Sequence, residues 1–215
     1  MTKDARLVDL GTREFGEVWT HQRELLTARQ KDEIPDTLLF VEHPHVITAG
    51  RSAHKENLLA TDGVPIFEIE RGGDVTYHGP GQLVGYPIFL LREPERDLHV
   101  YLRNIEEALI QTVETFGLPA GRRPSWTGVW NRAADLKIAS IGVAVKRWVT
   151  LHGFALNVST DLSRFAAINP CGLEATVMAS MSSLLGRPIS LAEVKPIVER
   201  KFAAIFGREF ERAAA

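Results

Sequence analysis

Residues 126–158 constrain the fold most. They form several β-like apolar runs separated by polar or glycine positions, with no helix between them. Further strands are expected at 37–41, 64–69 and 83–91. The last of these holds Gly85 and Pro87 and reads as an irregular or edge strand. A helix over 14–31 repeats Phe15, Val18, Trp19, Leu25 and Leu26 at three- and four-residue steps. A second, over 97–116, has Asp97 to cap it, Leu98, Leu102, Ile105, Leu109, Val113 and Phe116 on one side, and Gly117 and Pro119 to stop it. A third begins at Ser190 with capping-box spacing to Glu193, buries Val194, Ile197, Val198, Phe202 and Ile205, and ends at Gly207. Strands outnumber helices, and the helices sit between groups of strands. That pattern predicts an α/β (α+β) fold, a mixed β-sheet packed with helices, and not a doubly wound parallel one. Residues 1–215 read as one domain, with the last helical segment open to being a small appended lobe.

Charge and cysteine count narrow the function. Twenty-five Lys and Arg against 27 Asp and Glu give a net charge of −2, so no global field draws the chain to nucleic acid or a membrane. A single cysteine rules out an internal disulfide and suits a reducing compartment. The charged N-terminus lacks a signal peptide's apolar region, and no stretch approaches the ~20 apolar residues of a membrane span. A cytoplasmic protein is expected.

The segment Arg71-Gly72-Gly73-Asp74-Val75-Thr76-Tyr77-His78-Gly79-Pro80-Gly81-Gln82 is the densest in polar residues and glycine. A plain turn needs no such set of side chains, whereas glycines let backbone approach a ligand closely. It matches neither common phosphate-cradling pattern. Cys171 sits between Pro170 and Gly172, where neither helix nor strand continues comfortably, so a nucleophilic role competes with that of an inert core thiol. A nucleophilic thiol needs a cationic or basic partner. His78, His152, Lys137 and Lys146 all qualify, and the sequence does not choose among them. Lys137 stands at the start of an apolar run, where an inward-facing amine would be partly desolvated. His43-Pro44-His45 has no matching metal-ligand spacing and reads as a solvated loop, and Asp161 as a cap or turn residue.

Taken together, RGGDVTYHGPGQLVGY at 71–86, KIASIGV at 137–143, HGFALNV at 152–158, PCG at 170–172 and EHP at 42–44 resemble the octanoyltransferases of protein lipoylation. The similarity runs from about Thr37 to about Leu185. It implies a fold shared with lipoate–protein ligases and the catalytic domain of biotin protein ligases. It implies transfer of an octanoyl group from acyl carrier protein to a lysine of lipoyl domains, those of 2-oxoacid dehydrogenase complexes and the glycine cleavage H protein. It makes Cys171 the acyl-thioester nucleophile and Lys137 the group that lowers its pKa. Substrate contacts fall on Arg71, Gly72, Gly73, Asp74, Val75, Thr76, Tyr77 and His78, on Ser140, Ile141 and Gly142, and on Gly153, Phe154 and Ala155. No ATP and no metal are implied, since one thioester is exchanged for another. Backbone N–H groups near Cys171-Gly172 and in the Arg71-Gly72-Gly73 loop are candidate oxyanion donors, and Ala139, Ile141 and Val143 candidate acyl-channel residues. Arg122, Arg123, Lys146 and Arg147 are either a docking patch or, more simply, solvated charges. The rival readings are an ATP-dependent lipoate or biotin ligase on the same fold, and a non-catalytic acyl- or lipoyl-domain-binding module.

Overall fold

The computed structural model describes residues 3–59, 61 and 63–214, with the side chains of Lys3 and Cys171 outside the description. Its strands are β1 (Lys3–Thr12), β2 (Asp36–Glu42), β3 (Val46–Ala49), β4 (Ile66–Glu68), β5 (Val75–His78), β6 (Gln82–Ile88), β7 (Ala120–Arg123), β8 (Trp126–Asn131), β9 (Leu136–Lys146), β10 (Val149–Asn157) and β11 (Arg208–Ala213). The helices are α1 (Phe15–Gln30), α2 (Leu98–Thr115), α3 (Met181–Leu185) and α4 (Leu191–Phe206), with short 3-10 turns at Lys55–Asn57, Leu162–Ala167, Pro170–Gly172 and Ala175–Val177. An eight-stranded sheet has the order β11-β1-β2-β6-β10-β9-β8-β7, and a three-stranded sheet the order β4-β3-β5. The large sheet is mixed: β1 runs parallel to β2 and β11, and the remaining pairs are antiparallel.

The large sheet is covered on both faces, which is why β2 reads as a continuous apolar run and not an alternating one. Leu38 and Phe40 join the core under α2 and α4, while Leu39 and Val41 join Val18 and Leu26 of α1. The small sheet is likewise two-sided. Ile47, Ala49, Val75 and Tyr77 pack on Phe165, Ile168 and Met178 of the 3-10 region, and Val46 packs on Phe15 of α1.

Several expectations are corrected. The strand at β6 is not at an edge; it lies between β2 and β10 and is buried throughout. Its ladder with β10 covers Gln82–Gly85 and stops before Pro87, so the missing proline N–H costs no pairing there. The segment from Val75 to His78 is a strand and not part of a turn. Strands β1 and β11 escape the apolar reading because they are short on continuous hydrophobics and β11 is a largely exposed, charged edge. The last helix is no appended lobe, since Val194, Val198, Phe202 and Phe206 belong to the main core, whereas Ile197 and Ile205 are only partly buried. Asp97 does cap α2, accepting the N–H groups of His99 and Val100, but Leu98 is 43% exposed.

One buried carboxylate ties the sheet's distant parts together. Asp36 accepts Arg29 Nε from α1 at 2.7 Å, Arg208 Nε from β11 at 2.8 Å and the Leu90 N–H at 2.8 Å. Arg208 is fully enclosed and also donates to Glu95 at 2.6 Å. Removing the anion leaves two buried guanidinium groups with only the more exposed Asp32 and Glu95 as counter-charges, so Asp36→Ala is expected to cost about 3–5 kcal/mol of stability. Denaturant unfolding would read this, and a loss below about 1 kcal/mol would contradict it.

Candidate active site

Between the two sheets lies a narrow cavity of about 50 Å³, and it gathers most of the expected site residues. Register explains how. Across β9 and β10, Ser140 pairs with Ala155, Ile141 with Phe154 and Gly142 with Gly153, so two distant sequence motifs become cross-strand neighbours. From the small sheet and its loop come Arg71, Gly73, Val75, Thr76 and His78. Lys137 borders the same cavity and is 2% exposed.

Glycine makes the close approach possible. A Cβ on Gly153 would stand 2.1 Å from the Gly85 carbonyl oxygen and 2.6 Å from Pro87 Cδ, backbone and ring that cannot yield. A Cβ on Gly142 would meet Arg71 Cδ at 2.9 Å. In that space Arg71 is buried, donating to the Thr48 carbonyl at 2.7 Å, to Thr48 Oγ1 at 3.0 Å and to the Gly72 carbonyl at 3.1 Å.

Lys137 is set by its neighbours on β8, where the ladder shifts register between Val129 and Trp130. Its Nζ lies 5.8 Å from the Trp130 ring centroid. Gly128 has φ 137°, and a Cβ there would stand 2.8 Å from Lys137 Cε. The Gly128 N–H donates to Glu106 Oε1 at 3.1 Å, and that fully buried carboxylate also binds Arg103 and Arg122. The Lys137 carbonyl accepts the Ala179 N–H at 2.9 Å, and Met178 bridges Lys137. The chain shortly after Cys171 is therefore strand-paired to the lysine. Cys171 itself lies in the 3-10 turn Pro170–Gly172, and its side chain falls outside the described residues.

Three buried histidines surround the site. His78 Nδ1 is 2.8 Å from Gln82 Oε1, and Gln82 Nε2 donates to the Tyr77 carbonyl and Asn157 Oδ1. The oxygen of Gln82 is thus an acceptor, so Nδ1 carries the hydrogen. His43 donates from Nδ1 to the Arg13 carbonyl at 2.7 Å and accepts the Tyr86 hydroxyl at Nε2, 2.9 Å away. Contrary to the solvated-loop reading, His43 is fully buried, while His45 is exposed and contacts the Tyr77 hydroxyl. His152, at φ 60° in mid-strand, has its Nε2 3.4 Å from Glu70 Oε2, and its backbone N–H donates to Gln22. Desolvation holds this imidazole below its usual pKa, while facing His152 and Trp19 holds Glu70 down to about 2.

Some expected contacts point elsewhere. Tyr77 packs edge-on against Phe165 on the far face of the small sheet, and Asp74 and Gly72 do not line the cavity. Phe154 borders the cavity, yet its ring crosses Gly85 to pack on Phe202 at 5.3 Å. The Gly72 and Gly172 N–H groups already donate to Val143 and Asn169, which removes them as oxyanion donors. Lys146 is exposed at the far end of β9, roughly 30 Å along the strand from Lys137, and is no thiolate partner. Of the channel candidates, Ile141 lines the cavity, and Ala139 and Val143 sit in the core. Arg122 pairs with Glu106 and Glu107, and Arg123 with Asp135, so neither is an uncommitted docking charge. Asp161 caps the turn it precedes. Phe15, Ile69, Val84 and Tyr86 also line the cavity and were not singled out, because their sequence pattern is that of ordinary core. Thr76 Oγ1 is buried with no hydrogen-bond partner among the described residues. Two open grooves of about 730 and 850 Å³ are larger, but neither is lined by Lys137, Gly142 or Gly153, although the first runs along the far end of β9.

The sequence matches the lipoyl protein ligase A/B catalytic domain over residues 15–203. The chain belongs to that family. Within it, the chain is 51% identical to an octanoyltransferase of Solibacter usitatus (strain Ellin6076), over 94% of this chain and 93% of that one. It is 49% identical to an octanoyltransferase of Geobacter metallireducens, over 90% of each. These likenesses make it a member of the octanoyltransferases, which are acyltransferases. The fold matches lipoate-protein ligase A bound with ATP, at a TM-score of 0.76 and 17% identity, over 100% of this chain and 90% of that one. It also matches a biotin protein ligase from Aquifex aeolicus, at 0.54 and 12%, over 96% and 69%. Among the described residues no helix is long and apolar enough to cross a membrane, and no group of three His, Cys, Asp or Glu side chains could hold a metal ion.

The buried histidines carry a pH signature. Desolvation first, and the neighbouring His43 next, lower His78 to about 3; desolvation lowers His43 to about 4. Because the folded values lie below the unfolded one of about 6.5, their contribution to stability is complete above pH 6.5 and lost as pH falls toward 4 and then 3. The thermal midpoint is expected to drop across that range, and His43→Asn to flatten the drop. An unchanged slope in both His43→Asn and His78→Asn would show that other groups control acid unfolding.

Proposed function

We propose that octanoyl transfer in this chain proceeds through an acyl-thioester on Cys171, taking octanoate from acyl carrier protein and delivering it to a lysine of a lipoyl domain. The acceptors are the lipoyl domains of 2-oxoacid dehydrogenase complexes and the glycine cleavage H protein, in the cytoplasm. The observation that carries the reading is Lys137, buried at the cavity and strand-paired to the segment that follows the Cys171 turn. An ammonium there favours the thiolate over the thiol.

The thiolate attacks the donor's thioester carbonyl. A carbon–sulfur bond to Cys171 forms, the bond to the carrier's sulfur breaks, and the leaving carrier thiolate takes the proton of the Lys137 ammonium, departing as a thiol and leaving a neutral Lys137 amine behind. No ATP and no metal ion take part, because the donor is already activated. Acylation removes the negative charge beside Lys137, whose amine then accepts the proton of the incoming substrate amine. That amine attacks the Cys171 thioester, the amide bond forms and the thiolate is restored. Thr76, with its buried and unpartnered hydroxyl, is a polar contact available to the substrate. The cavity is the size of one or two waters, so an eight-carbon chain enters by displacing its wall. The exposed Gly73 is the loosest part of that wall.

Intact-protein mass spectrometry after mixing with octanoyl-acyl carrier protein, without ATP, tests the route. An octanoyl adduct mapped to Cys171, discharged by a lipoyl domain, is expected, with ping-pong kinetics. Cys171→Ser should abolish turnover. Failure to form the adduct, or activity that requires ATP, would replace this reading with that of a ligase.

A further inference from the structure

The resemblance places Asp74 among substrate contacts, but its carboxylate faces away from the cavity. Oδ1 accepts the N–H groups of His54 at 3.1 Å and Val75 at 2.8 Å, and Oδ2 accepts from Asn57 Nδ2. Asp74 is 8% exposed, so every one of these bonds helps offset the desolvation of a buried anion. Asn57 then passes the connection on. Its carbonyl accepts the Asn169 N–H at 2.9 Å, Leu58 bridges Ile168, and the Leu59 N–H donates to the Ala167 carbonyl at 2.9 Å. Pro170–Gly172, the turn that carries the thiol, starts at the next residue. At the other end the same segment is fastened to the glycine loop, with Arg51 and Ser52 donating to the carbonyls of Arg71 and Gly73.

We propose that Asp74 is a positioning residue for Cys171, acting through Asn57, and makes no contact with substrate. The glycine loop, the 50–59 segment and the cysteine turn form one hydrogen-bonded unit whose side-chain link is the Asp74–Asn57 pair. The inference rests on the reading of Cys171 as the acyl acceptor. Its purpose is to hold the thiol at Lys137 while the loop yields to an entering acyl chain.

An exchange of the pair tests it. Asp74→Asn sets its new amide donor against that of Asn57, and even where the Asn57 amide turns over to accept, the charge-assisted bond is lost. The double variant Asp74→Asn with Asn57→Asp restores a donor and an acceptor with the roles reversed. Because Cys171 is the only cysteine, iodoacetamide alkylation across pH reports its thiolate directly. Asp74→Asn is expected to move the alkylation midpoint upward and to lower kcat by about tenfold or more, with the KM for octanoyl-acyl carrier protein unchanged. The double variant should recover both. Asn57→Ala, which leaves the Asp74 backbone bonds in place, should reproduce the effect if Asp74→Asn fails to fold. An unaltered alkylation profile, a rise in KM alone, or no recovery in the double variant would each overturn the assignment. Should wild type form no octanoyl adduct, the covalent reading fails, while the alkylation profiles still judge the positioning role.

Discussion

The two sheets meet around a buried guanidinium. Arg71 reaches from the glycine loop to Thr48 of the small sheet and lies against Gly142 of the large one. The arrangement leaves no room for side chains at the positions that face it: a Cβ on Gly50 would stand 2.8 Å from its Nη1 and one on Gly142 2.9 Å from its Cδ. An arginine buried to this degree persists only where carbonyl and hydroxyl oxygens absorb its donors. Here the Thr48 and Gly72 carbonyls and the Thr48 hydroxyl do so. The clamp therefore fixes both the spacing of the sheets and the course of the loop between them.

From that spacing the cavity follows. Gly142 and Gly153 are paired across β9 and β10, and Gly153 is pressed against Gly85 of β6, so a line of three strands presents backbone instead of side chains to the space under the small sheet. Lys137 lies further along β9, where the shift in the β8 ladder and the glycine at 128 make room for its stem. Octanoyl transfer needs a place for an apolar chain, and the geometry supplies apolar strands with Lys137 at one end. The neutral histidines beside it are a consequence of the same burial. His43 and His78 are each hydrogen-bonded in a single tautomer, and their burial makes the site's surroundings sensitive to acid.

The same fold serves ligases that activate a free acid with ATP, which is the reason that fold alone does not assign chemistry. In this chain Lys137 is bridged to a segment leading back to a cysteine turn, and under the proposed route the donor arrives already activated as a thioester. The Asp74–Asn57 pair adds a mechanical reason for the acidic residue in the glycine loop. It couples the wall that must open to the turn that must stay in place.

Much of this was legible in the chain itself. The strand-rich stretch at 126–158, the capped helices at Asp97 and Ser190 and the glycine-dense loop depend on neighbours within a few residues, and local chemistry is enough to read them. The resemblance that singles out Cys171 and Lys137 is also carried by the chain itself, through motifs in a fixed order. Which basic group faces the cysteine segment was not legible, since Lys137 and Lys146 look alike until β9 is laid in its sheet and one end is buried while the other stays in solvent. The burial of His43, the interior place of β6 despite Pro87, and the turning of Asp74 and Tyr77 away from the cavity were also decided by tertiary structure alone. Each depends on what lies across a sheet, from residues tens of positions away. Local sequence determines which element forms and which groups are on offer; only the packed sheets decide which of those groups meet.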